Sequence, residues 1–226
     1  MRGLIALAAL LATPAQAAER RWPVGSIERL KVEAPVTVRV ETGGGNGVRG
    51  TAADRATLDA LDLRVDGTTL TIRTPRGSTA PAEIVVATPR VDTVALFAPA
   101  TVLVDTLRGA RATVSVAGAG SVTIARVDAE RFDATLVGEG TITAAGRATE
   151  ARLAGNGPGT IDSAALSAER TVVQAAGDLI VRAAARSTAR ITAGPDAQVT
   201  IAGHPQCSIR AATPANVRCS GVLPSS

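Results

Sequence analysis

Apolar and polar residues alternate with a period of two through residues 112–124, ATVSVAGAGSVTI, and the same alternation returns downstream. It recurs at 133–143 (DATLVGEGTIT), 153–162 (LAGNGPGTID), 173–181 (VQAAGDLIV) and 191–201 (ITAGPDAQVTI), with an earlier copy over 94–104. Alternation of this kind marks a strand with one buried face. The anchors Val102, Val122, Ile142, Ile161, Leu179 and Val199 stand 20, 20, 19, 18 and 20 residues apart, a period that belongs to stacked supersecondary units. An arginine recurs once per unit, at Arg111, Arg131, Arg152, Arg170, Arg190 and Arg210. It precedes the anchor by eleven residues in the first two units and by nine in the next three. The difference is even, so the inside and outside of each strand are preserved. With the arginines outward, Ala112, Val114, Val116, Val122 and Ile124 face inward in one unit, and Phe132, Ala134, Leu136 and Ile142 in the next.

These repeats predict an all-β fold, a parallel β-helix or solenoid of about 19–20 residues per coil. At about 3.3 Å per residue such a coil has a perimeter of about 60 Å, room for three short strands with corners. The glycine pairs Gly118 and Gly120, Gly138 and Gly140, and Gly157 and Gly159 precede the anchors and are expected at inward positions of a corner, where side chains would collide. In the last two units Ala175 and Pro195 stand where the first glycine is expected. The Gly-Gly-x-Gly-x-Asp runs of calcium-binding solenoids are absent.

Four segments follow from the pattern. Residues 1–17 have a basic Arg2, an apolar run and a small-x-small end at Ala15 and Ala17, which predicts a secretory signal cleaved after Ala17. Residues 18–93 predict strands and a cap over the open end of the stack. Within it Val36, Val38 and Val40 alternate with polar residues, Leu63 to Ile72 form a hairpin around Asp66-Gly67, and 53–61 form a short helix or helical turn. The glycines Gly45, Gly47 and Gly50 fit a G-x-G-x-x-G spacing, but a hairpin follows rather than a parallel crossover, so they are assigned to a flexible hairpin tip. Residues 94–205 carry the repeats, and 206–226 predict a C-terminal cap. No segment is expected to span a membrane.

Composition narrows the chemistry. One Trp, no Tyr and two Phe leave a core of Val, Leu, Ile and Ala, while the apolar fraction of 46% excludes simple disorder. Scarce aromatics and an exported compartment argue against nucleic acid as a partner. Cys207 and Cys219 are the only cysteines. In an exported chain they are expected to form a disulfide rather than a metal site, since only His204 lies nearby as a further ligand. Glu139, Asp162, Asp178 and Asp196 near the glycine corner are candidates for paired acid and base in glycan cleavage, and His204, the sole histidine, sits in a Gly-His-Pro turn. The arginine column is the stronger signal: stacked guanidinium groups attract a polyanion such as a uronate- or phosphate-bearing glycan. Glu130, Glu150 and Glu169 accompany three of the arginines, so a neutralised, solvated ladder is the alternative. Arg190 and Arg210 have no such neighbour, which makes the stripe most positive toward the C-terminal end.

The recurrent GAGSVTI, GEGTIT and GPGTID pattern, with RVDGTTLTIRT before it and a closing Gly-x-Pro at 203–205, resembles the family described as putative auto-transporter adhesin, head GIN domain, over roughly residues 27–205. The resemblance implies a right-handed parallel β-helix and an adhesin-like, non-catalytic role. The combined expectation is an exported binding or structural module of the cell envelope, periplasmic or released, without cofactor or metal. Its expected partner is an acidic polysaccharide or envelope component, with Arg111, Arg131, Arg152, Arg170, Arg190 and Arg210 as contacts.

Overall fold

A computed structural model describes residues 17–74 and 81–220. The expected signal segment lies outside them apart from Ala17, as do residues 221–226. The chain is almost wholly β, and its strands wind into a solenoid of about six turns. Three long strands, Thr101–Ala117, Ser121–Val137 and Thr141–Asn156, each bend through more than one side of the coil and stack in parallel. Shorter strands continue the stack to Gln206–Ala211 and Val217–Cys219. Alternation does what parity requires: Ala112, Val114, Val116, Val122, Ile124, Phe132, Ala134, Leu136 and Ile142 are all buried. Their layers fill one continuous core of small and branched side chains.

Register refines the anchor column. Val102, Val122, Ile142 and Ile161 lie one above another as expected, but the next rung is Val181, which pairs with both Ile161 and Val199. Leu179 is buried two residues earlier, in the place that Gly120, Gly140 and Gly159 take in the coils above. The reason is packing. A Cβ on Gly159 would lie 2.6 Å from Leu136 Cδ2, whereas Leu179 sits beside Gly155, the residue that continues the Leu136 column. A large residue in one column is thus matched by a small one in the other. The first glycine of each pair does not face inward. Gly118, Gly138 and Gly157 have φ of 102°, 109° and 119° and turn the corner in the left-handed region. Gly177, not Ala175, continues that column, followed by Pro195.

The N-terminal region does more than cap. Arg29–Glu33 and Thr37–Thr42 form a parallel lap lying between the later laps Thr69–Arg73 with Ala82–Thr88 and Thr93–Leu96 with Thr101–Ala117. The chain therefore lays down an inner lap first, climbs over it, and returns beneath. Antiparallel strands Asp62–Asp66, Gly47–Ala52 and Ala18–Trp22 cover the open edge, as an exposed sheet edge demands. The Leu63 to Ile72 hairpin forms, with Leu70 and Ile72 buried and Val65 outside. The expected short helix is Arg55–Asp59, capped by Asp54, whose carboxylate accepts from the Thr57 backbone N–H at 2.7 Å. Gly47 and Gly50 belong to the antiparallel strand Gly47–Ala52 rather than to a hairpin tip, because that strand and Thr37–Thr42 both pair with Ala82–Thr88 and not with each other, and only the five-residue helix Arg55–Asp59 follows.

At the other end, Cys207 and Cys219 form a disulfide with Cα atoms 6.6 Å apart. It joins two strands of a further lap that continues the coil past residue 205. Cys207 is fully buried beneath Ala189, and Cys219 pairs with Ile201.

Candidate functional site

Each long strand bends where residues 108–111, 128–131 and 147–150 pass from one side of the coil to the next. The bends align into a groove parallel to the solenoid axis, made of three contiguous depressions of about 1010, 530 and 480 Å³. It crosses six laps, about 24 Å at about 4.8 Å per lap. One wall carries Arg108, Arg126, Arg147 and Arg186. The other carries Arg111, Arg131, Arg170 and Arg190. Against these eight cations the lining has four carboxylates, Asp128, Glu130, Glu150 and Glu169. The lining therefore carries a formal excess of four positive charges, offset in part by Asp133, which meets Arg111 from outside it.

Local irregularity shapes the groove. Register between neighbouring laps slips by one residue between Ile124 and Val127, so the upper lap bulges. A bulge re-aims the side chain it carries, here Arg126. The lap below runs tight against it at Gly146, where φ is 123° and an added Cβ would stand 2.3 Å from the Val127 carbonyl oxygen.

The six expected arginines all point outward, but they do not form one column. Arg111 and Arg131 are aligned, Glu150 comes next, and Arg170, Thr188 and Gln206 continue that line. Arg152 and Arg190 lie in the adjacent line with Thr113, Asp133, Val172 and Ser208. Arg210 lies in a third, below Thr192. The intervals between arginines differ from the lap lengths by even numbers, which preserves parity while shifting each residue sideways. Four of the six, Arg111, Arg131, Arg170 and Arg190, line the groove; Arg152 and Arg210 lie on the face beside it. Arg108, Arg126, Arg147 and Arg186 were not singled out from sequence. The available signal was a second arginine three to five residues ahead of Arg111, Arg131, Arg152 and Arg190.

Charge compensation is uneven. Asp128 lies 3.5 Å from Arg108 and 3.6 Å from Arg147, and Glu169 lies 3.3 Å from Arg186 rather than from adjacent Arg170. Arg111 meets Asp133 at 3.4 Å. Glu150, little exposed, accepts from Arg152 at 2.8 Å and from Arg131 at 3.3 Å. Those bonds, Arg152's foremost, hold its carboxyl below the usual carboxylate range. The Arg131 Nε is buried without a partner. Among the described residues no carboxylate oxygen lies within 4 Å of Arg126, Arg170, Arg190 or Arg210.

The carboxylates near the glycine corner are elsewhere. Glu139, Asp178 and Asp196 sit at the corner turns, Asp162 faces Arg182 at 3.7 Å on another side of the coil, and none lines the groove. His204 is exposed at the bend after Gly203. No helix among the described residues is long and apolar enough to cross a membrane.

Stacked parallel laps with one charged groove place the molecule among the β-solenoids. The comparisons agree: residues 27–205 match the family described as putative auto-transporter adhesin, head GIN domain, and the chain belongs to that family. A crystal structure of a putative adhesin from Bacteroides fragilis NCTC 9343 aligns with a TM-score of 0.77 and 15% identity, covering 91% of this chain and 95% of that one. A putative lipid binding protein from Parabacteroides distasonis ATCC 8503 aligns at 0.64 and 13%, covering 92% and 96%. A putative adhesin from Parabacteroides merdae ATCC 43184 aligns at 0.64 and 12%, covering 92% and 95%. No curated protein matches the sequence.

Proposed function

We propose that this protein is an exported, non-catalytic binding module of the cell envelope that holds an acidic glycan along the arginine groove. The observation that carries this is the gathering of eight arginines against four carboxylates in one elongated depression. Guanidinium groups favour planar carboxylate and phosphate groups, which they bind in bidentate fashion. A groove open along its length suits a linear chain rather than a compact cofactor. Membership of an adhesin-described family supports a binding role.

The test is retention of the oxidised protein on immobilised polygalacturonate across a salt gradient, beside vesicles containing phosphatidylglycerol and a neutral glucan. Elution at raised salt from the acidic glycan, with earlier elution of Arg126→Gln and Arg147→Gln, is the expected result. Equal passage through acidic and neutral columns overturns the proposal, and preferential capture by the vesicles replaces glycan with lipid. New reducing ends on incubation with the polymer, abolished in Asp162→Asn or Asp178→Asn, would establish a glycan-cleaving enzyme instead.

A further inference from the structure

We infer that the C-terminal third of the groove contains a discrete anion subsite, in which Arg170 and Arg190 together grip one carboxylate or phosphate group of the bound chain. The inference rests on the glycan-binding role proposed above and locates its strongest contact.

Equivalent positions in successive laps provide the argument. In the upper laps the outward arginines are answered from within the sheet: Arg111 by Asp133 one lap down, and Arg131 and Arg152 by Glu150. The same two lines of positions continue downward as Arg170, Thr188 and Gln206, and as Val172, Arg190 and Ser208. No acidic residue occupies any of the lower places. Glu150 reaches the rim of this hollow but already holds two guanidinium groups. Arg170 and Arg190 are therefore exposed and uncompensated, one lap and two residues apart. That is about 8 Å between their Cα atoms from ordinary strand dimensions, within the span over which two long side chains converge on a single oxyanion. They border a hollow of about 480 Å³ lined also by Thr188, Gln206 and Ser208, hydroxyl and amide groups suited to sugar hydroxyls beside the anion. The surroundings are held firm. Thr171 Oγ1 donates to the Ala184 carbonyl at 2.8 Å, and the lap bearing Gln206 and Ser208 is tied down by the Cys207–Cys219 disulfide. Arg210 lies one lap and one outward position further along the same diagonal, outside the hollow, and serves as an internal control.

The experiment titrates the oxidised full chain with polygalacturonate oligomers by calorimetry, with inorganic phosphate as competitor. Arg170→Gln and Arg190→Gln should each raise Kd about tenfold, as expected for loss of a charge-assisted contact, and the pair together should cost much less than the product. Arg210→Gln should change Kd by about twofold or less, with all melting temperatures unaltered. Phosphate should displace the oligomer from wild type and lose that competition in Arg190→Gln; displacement by phosphate at far lower concentration than by monomeric galacturonate would mark the natural group as phosphate. Equal losses for Arg170→Gln and Arg210→Gln would show diffuse attraction and overturn the subsite. Loss confined to Arg126→Gln and Arg147→Gln would overturn it while leaving the groove as the binding site, whereas a wild type that binds neither probe removes both.

Discussion

Leu179 and Gly155 exchange the sizes that the coils above assign to their columns, and a double-mutant cycle measures that exchange. Leu179 is fully buried, and truncating such a leucine costs about 2–5 kcal/mol, the spread set by how far the site collapses. Taking about 3 kcal/mol, Leu179→Ala should lower Tm by about 6–12 °C for a chain of this size. A Cβ on Gly155 would stand 2.9 Å from Leu179 Cδ2 and 2.9 Å from the Leu136 carbonyl oxygen. Gly155→Ala alone should therefore cost about 1–3 kcal/mol through overpacking. In the double variant the methyl groups of Leu179 are gone and the new methyl of residue 155 fills part of the space they leave. The two losses should then sum to less than their separate values by about 1 kcal/mol or more, well beyond the error of such cycles. Urea unfolding of the four oxidised proteins, with amide exchange to localise the effect, is the assay. Strict additivity would show that the columns pack independently and that the size exchange has no energetic content.

Two other consequences follow from named contacts. The disulfide closes a loop with a sequence separation of 12, so Cys207→Ser with Cys219→Ser should cost about 3 kcal/mol at most on the loop-entropy estimate. Because neighbouring laps supply most of each other's contacts, exchange protection should fall first in residues 188–219, and uniform loss across the solenoid would contradict that view. Glu150 is held below its ordinary pKa by Arg152 and Arg131, so it stabilises the fold above the unfolded value of about 4.3 and ceases to do so as pH falls through the lower folded value. Glu150→Gln should accordingly be less stable than wild type at pH 7 and converge with it in strong acid; a constant gap from pH 7 to pH 2 would refute the assignment.

Much of the fold was legible because a strand's side chains alternate strictly. A period-two pattern recurring every 18–20 residues identifies stacked laps, and only even slips are tolerated, so burial of Val114, Phe132 or Ile142 could be assigned without coordinates. The glycine corners were legible as corners but not in detail. Which glycine avoids a clash and which supplies a left-handed φ depends on the neighbouring lap, as Leu136 against Gly159, beside the left-handed Gly157, shows. Likewise, a spacing of about twenty residues between arginines suggested one ladder, while laps of 18, 19 and 20 residues convert it into staggered lines.

Local order along the chain, then, was enough to establish parallel laps, an apolar lining, outward arginines and a pairing for the only two cysteines, because each follows from backbone geometry or from residue chemistry alone. Register between laps was needed for the rest: that Arg29–Glu33 and Thr37–Thr42 are sandwiched between later laps, that Glu150 also holds Arg131 of the lap above, and that Arg170 and Arg190 share a hollow whose one carboxylate, Glu150, is already paired. Those relations join residues about twenty or more positions apart, and a shift of two residues in lap length leaves every side chain facing the same way while changing which charge it meets.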